Sequence, residues 1–145
     1  MSRGDIAKSY FLQGYNCAQA VVVAYADELG MTNDMAARMA SGFGGGVSRL
    51  REVCGAFSGA VMVMSLLRGY DQPLDLDGKK VLYDRVQKMA AAYREKVGAL
   101  ACRDVLKIRA NVVPPVPATI PGHNPACAEL CRIAADILES ELASE

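Results

Sequence analysis

The chain has 145 residues, 52% of them hydrophobic, and its 16 basic side chains balance 16 acidic ones. This length and composition suit one folded domain with a substantial core and exclude a disordered chain. The charge balance argues against nucleic acid or an anionic membrane as partner, since both need a basic face.

Met1 to Asp5 opens onto an amphipathic stretch rather than an apolar signal segment. The longest apolar run, Val53 to Leu67, is too short to span a bilayer. A soluble, cytoplasmic protein is the expectation.

Asp5 to Gln13 reads as a first helix with Ile6, Tyr10 and Leu12 inward, ended by Gly14. Asn16 is a good N-cap, so Cys17 falls in the first turn of a second helix, Cys17 to Leu29. Ala20, Val21, Ala24 and Tyr25 recur there at helical spacing. A third helix, Asn33 to Ser41, carries a small-residue face of Ala36, Ala37 and Ala40. The glycine-rich loop Gly42–Gly46 and the polar Ser48, Arg49, Arg51 and Glu52 follow. An apolar helix then begins near Glu52 or Cys54 and ends at Gly69. It is apolar all round, which marks it as the central, buried helix. Its small residues Gly55, Ala56, Gly59 and Ala60 let another backbone approach, either within the chain or across a homodimer seam.

Tyr70 to Asp75 is a loop around Pro73. Leu76 to Val97 is a long amphipathic helix with Val81, Leu82, Val86, Met89, Ala90, Tyr93 and Val97 inward, closed by Gly98. Cys102 to Ile108 reads as a short helix or turn. Val112 to Pro125 holds five of the six prolines and is an irregular connection. Asn124 caps a last helix with Pro125 at its first position. That helix runs to about Leu142, with Cys127, Cys131, Ala134, Ala135 and Leu138 on one broad face. No stretch alternates as a strand does. The expected fold is all-α: a single-domain helical bundle of about five to seven helices over residues 1–145.

Five cysteines are many for a cytosolic chain, where they are more often metal-binding, catalytic or buried than a disulfide framework. The absence of CxxC and CxxCH removes thioredoxin-type, zinc-ribbon and covalent-haem readings. Cys17 and Cys54 each follow a glycine-containing turn and enter a helix, where unpaired amides and the dipole favour thiolate. They read as a dithiol/disulfide couple or as soft metal ligands; the plain alternative is two small residues buried for packing. Cys127 also starts a helix. Cys131 lies one turn on, on the same face, where the pair can share a metal but makes a poor disulfide. His123, the one histidine, is either a ligand or a surface loop residue. No triad accompanies it, so acid–base hydrolysis has little support.

Gly44, Gly45 and Gly46 are candidate cofactor-binding residues. A dinucleotide fingerprint fails, because Val47 stands where GxGxxG needs glycine and no strand precedes it. A tight turn with two solvated arginines, Arg49 and Arg51, is favoured over an anion cradle, and the loop could equally line a cofactor pocket beside Cys54.

Several motifs occur in order along nearly the whole chain: Phe11-Leu-Gln-Gly-Tyr-Asn-Cys17-Ala-Gln-Ala-Val, Gly44-Gly-Gly, Cys54-Gly-Ala-Phe-Ser-Gly59-Ala, Cys102-Arg-Asp-Val-Leu and Cys127-Ala-Glu-Leu. Together they resemble the redox-active family named for its C_GCAxxG_C_C cysteine pattern, here in a CGAxxG form. The resemblance implies a small helical protein with a redox or electron-transfer role. Its signature cysteines are Cys17, Cys54, Cys102 and Cys127; Cys131 matches no signature position.

The leading expectation is a thiol-based oxidoreductase or electron carrier. Cys54 would be the thiolate of lowered pKa and Cys17 its partner; Cys102 and Cys127 would be a second pair. Alternatively the four would ligate an iron–sulfur cluster or zinc. A redox partner protein is expected. The rival reading is a helical binding or dimerisation module of a larger oxidoreductase system, with the cysteines only packing.

Overall fold

A computed structural model describes residues 1–144; Glu145, the last residue of the expected domain, lies outside them. The described chain is all-helical. Its helices are α1 (Arg3–Leu12), α2 (Cys17–Val23), α3 (Ala26–Leu29), α4 (Asn33–Ala40), a distorted turn α5 (Gly44–Val47), α6 (Gly55–Arg68), α7 (Leu76–Val97), α8 (Cys102–Arg109) and α9 (Ala128–Ala143). Short 3-10 turns, Ser41–Phe43 and Pro125–Cys127, lead into α5 and α9. The only strand-like pairing among the described residues is one antiparallel bridge, Val53 with Ala101.

The most enclosed helix is α2, not α6 as the apolar pattern suggested. Ala18, Ala20, Val21, Val22 and Val23 are all buried, whereas α6 emerges at its C-terminal end, where Leu66 is 55% exposed. Helices α1, α4, α6 and α9 surround α2, and α7 covers α6 and α9 from outside. The small face of α6 is used inside the chain. A Cβ at Gly59 would lie 2.8 Å from the Ala18 carbonyl oxygen, so only glycine lets α6 sit this close to α2. That face therefore gives no argument for a dimer seam.

The expected helix 17–29 breaks at Ala24–Tyr25. Arg3 donates to the Ala24 carbonyl at 2.7 Å, an acceptor that an unbroken helix would have paired with the Glu28 amide. The buried Tyr25 hydroxyl donates to the Ala135 carbonyl at 3.0 Å, and the Arg3 guanidinium lies over its ring. In α1 the deeply buried line is Gly4, Ala7 and Phe11, with Ile6, Tyr10 and Leu12 half-buried beside it. In α7 Leu82, Met89, Ala90, Tyr93 and Val97 are buried as expected; Val81 is exposed instead and Val86 half-buried.

Candidate functional site

Each signature cysteine stands at or beside a helix start. Cys17 is the first residue of α2, set by a capping box: the Asn16 side chain accepts the Gln19 amide at 2.9 Å and the Gln19 side chain accepts the Asn16 amide at 3.0 Å. Asn124 accepts the Ala126 amide at 3.0 Å and opens the 3-10 turn that delivers Cys127 to α9. Cys54 and Cys102 are joined through the backbone around the Val53–Ala101 bridge. The Cys54 amide donates to the Leu100 carbonyl at 2.7 Å, and the Cys102 amide donates to the Glu52 carbonyl at 2.5 Å. Each then leads directly into its helix.

The four converge. Cys17, Cys54, Cys102 and Cys127 all line one cavity of about 520 Å³. Phe11, Val105, Leu106 and Leu130 supply apolar wall, and the exposed Ala118, Ile120, Gly122 and Asn124 form its rim. The Cys17 sulfur lies against the start of α6 because the residue after Cys54 is glycine: a Cβ at Gly55 would lie 2.5 Å from that sulfur. Cys131 does not line the cavity. It is buried behind it, its Sγ 3.8 Å from the carbonyls of both Cys17 and Cys127.

Cys54 is not the thiolate of lowered pKa expected from its place at a helix start. Burial pushes its pKa up. The Tyr93 hydroxyl and the amides of Ala56 and Phe57 at the head of α6 oppose that shift without reversing it. Burial likewise pushes Cys17 up to about 12 and Cys127 up to about 11; neighbouring Cys54 adds to both, and the Arg109 and Arg51 guanidiniums partly offset the rise at Cys127. The helix-start effect is real but smaller than the cost of an enclosed charge.

Tyr93 is a site residue that sequence reasoning placed only in the core. Its ring is fully buried on α7 and its hydroxyl lies 3.2 Å from Cys54 Sγ. The signal was present: a buried tyrosine hydroxyl needs a partner, and the inward stripe of α7 offers none of its own. His123 is half-buried rather than a free surface residue. It stacks on Phe11 with centroids 4.2 Å apart, and its Nε2 lies 3.3 Å from the Tyr15 carbonyl.

The glycine loop frames the site. Gly45 lines the cavity, and its amide favours the charged form of Cys17. Gly44 packs on the Asn16 side chain and Gly46 on the Cys102 Cβ and the backbone of Arg51 and Glu52. From Gly45 to Arg49 five consecutive residues have positive φ (66°, 66°, 64°, 50° and 67°), and Arg51 follows at 60°. Such a left-handed turn costs roughly 1–2 kcal/mol for each residue other than glycine, and strain of this kind gathers at functional sites. It aims the Arg51 Nη1 at Cys102 Sγ, 3.7 Å away.

A family model described as "Putative redox-active protein (C_GCAxxG_C_C)" matches residues 15–141. The chain belongs to this family. The matched span includes all four signature cysteines and most of the cavity wall. No curated protein and no solved structure matches the chain. Four thiols are the donor set of a soft metal. As arranged, however, no group of three or more His, Cys, Asp or Glu among the described residues is gathered closely enough to hold a single metal ion. Among the described residues no helix is long and apolar enough to cross a membrane.

Proposed function

We propose that this member of the redox-active family is a thiol/disulfide oxidoreductase whose reacting cysteines work inside the cavity. The observation that carries the reading is the convergence of Cys17, Cys54, Cys102 and Cys127, from four separate helix starts, on one cavity. Packing alone asks only that cysteines be buried; it does not ask four of five to line the same space.

Cys54 is the hub. It is the foremost thiol neighbour of both Cys17 and Cys127 in their electrostatic surroundings. Cys17 or Cys54 attacks a disulfide substrate, forms a mixed disulfide with one half and releases the other half as a thiol. The second of the two cysteines then attacks that mixed disulfide, closing Cys17–Cys54 and releasing the remaining half as a thiol. Two electrons pass from the cysteine sulfurs to the substrate sulfurs, and the two cysteine protons leave with the product thiols. Tyr93 holds Cys54 by hydrogen bond and steadies charge on it. Cys102 and Cys127 form the second pair. The cytoplasm, which keeps thiols reduced between turnovers, is the setting we assign.

The test is equilibration with mixtures of reduced and oxidised dithiothreitol, counting free thiols. Reversible loss of two thiols, or of four, is expected, and it should survive Cys131→Ala. Retention of all five thiols across the whole redox range would leave packing as the role of the cysteines.

A further inference from the structure

We infer that the substrate of this cavity is a low-molecular-weight, carboxylate-bearing disulfide, anchored by Arg51, rather than a disulfide on the surface of a protein. This rests on the thiol/disulfide reading and narrows it.

Size comes first. Attack on a protein disulfide requires a sulfur that stands clear of its own fold. None of the four cavity cysteines is exposed: Cys54 is 3% accessible, Cys102 8%, and the Cys17 sulfur lies against Gly55. A molecule reaches them only by entering the cavity, and about 520 Å³ is the volume of a typical small-ligand site.

Charge comes second. Among the described residues no aspartate or glutamate lines the cavity; besides the thiols, its ionisable lining groups are Arg51 and His123. Arg51 is half-buried and, among the described residues, makes no ion pair. The adjacent carboxylate, Glu52, is engaged by Arg103 at 2.7 Å. Among the described residues the Arg51 side chain has the Cys102 sulfur as its one hydrogen-bond partner. The chain holds this residue in a left-handed backbone at φ 60°, a conformation that costs free energy and places a guanidinium beside the thiols. An unpaired guanidinium in a largely apolar cavity calls for an anionic group, and its fork suits a carboxylate.

Atoms and electrons balance as for any disulfide. Two cysteine thiols and one substrate disulfide give one cysteine disulfide and two carboxylate-bearing thiols, which leave as anions.

The experiment compares two small aromatic disulfides on the intact protein: dithiobis(nitrobenzoate), which carries carboxylates, and dithiodipyridine, which is neutral. In Arg51→Gln the rate with the carboxylate disulfide should fall roughly tenfold or more, while the neutral one changes less than about twofold. Arg51→Lys, which keeps the charge, should recover most of the loss. Nitrobenzoate, which has no disulfide, should protect the cavity thiols from a neutral alkylating reagent in the parent protein and not in Arg51→Gln. Equal slowing of both disulfides, or no nitrobenzoate protection, would overturn the anion site. Oxidation by a disulfide-bearing protein as fast as by the small disulfides would overturn the size argument. If neither small disulfide oxidises the parent protein, the redox reading itself fails, and the alkylation arm still decides the anion site.

Discussion

Gly45 and Gly46 share a φ of 66° but differ in what surrounds them, so replacing each by alanine separates backbone strain from collision. At Gly45 a Cβ would meet only the side chains of Arg49 and Arg51, the nearest atom at 3.0 Å, and these can swing away. Gly45→Ala should therefore cost about 1–2 kcal/mol, the strain of an L-residue in the left-handed region. At Gly46 a Cβ would lie 2.6 Å from the Cys102 Cβ, 2.8 Å from the Glu52 nitrogen and 2.9 Å from the Arg51 carbonyl carbon. Those backbone atoms are pinned. The Glu52 amide donates to the Gly46 carbonyl at 2.9 Å, and the Glu52 carbonyl accepts from Cys102. Overpacking against a held backbone adds about 1–3 kcal/mol, so Gly46→Ala should lose about 2–5 kcal/mol in all. Urea unfolding followed by circular dichroism gives both values from the midpoints. Gly46→Ala should also disturb the pairing of residues 52–54 with 100–102 and change the oxidation rate of Cys102. Equal losses for the two variants, within about 0.5 kcal/mol, would refute the close approach that we read as fixing Cys102 beside the glycine loop.

Gly55→Ala would place a Cβ 2.5 Å from the Cys17 sulfur and 2.7 Å from the Phe43 carbonyl oxygen; it should slow Cys17–Cys54 disulfide formation several-fold and cost about 1–3 kcal/mol in denaturant unfolding. Tyr93→Phe removes the donor that favours charge on Cys54, so the oxidation rate of Cys54 should drop, with a stability loss of about 0.5–1.5 kcal/mol. Stability should fall in alkali: the Cys17 thiol is neutral in the folded state up to about 12 but ionises from 9.0 when unfolded. Between those values the unfolded chain binds fewer protons, so its contribution, at most about 4 kcal/mol, is present below pH 9 and lost on rising toward 12, as a melting series in pH should show. For the same reason disulfide exchange should accelerate with pH through 9 to 11 rather than level off near neutrality, and stopped-flow thiol release measures it.

Parts of this site were legible in local sequence. Asn16 and Asn124 announce the turns that present Cys17 and Cys127, because capping is settled within three or four residues. The extent of α7 was also readable, from the helical spacing of its inward residues to the Gly98 that ends it; the Asp75 side chain that caps it read only as loop. The state of Cys54 was not. Its helix start is local, but its burial comes from α7 and the 100–102 segment, distant in sequence, and burial decides its pKa. The helix break at Ala24 depends on Arg3, twenty-one residues away. The left-handed turn was least legible of all: Val47 is β-branched and among the residues least suited to positive φ, so no propensity would place it there. Arg51 consequently read as a solvated arginine, whereas it borders the cavity.

The most direct test of the cysteine cavity is a peptide map by mass spectrometry of the folded protein after oxidation, with free thiols blocked before digestion. The proposed thiol/disulfide function predicts intramolecular disulfides drawn from Cys17, Cys54, Cys102 and Cys127, with Cys17–Cys54 first to form and Cys131 left as a thiol. Five blocked thiols, or only disulfides between chains, would contradict it.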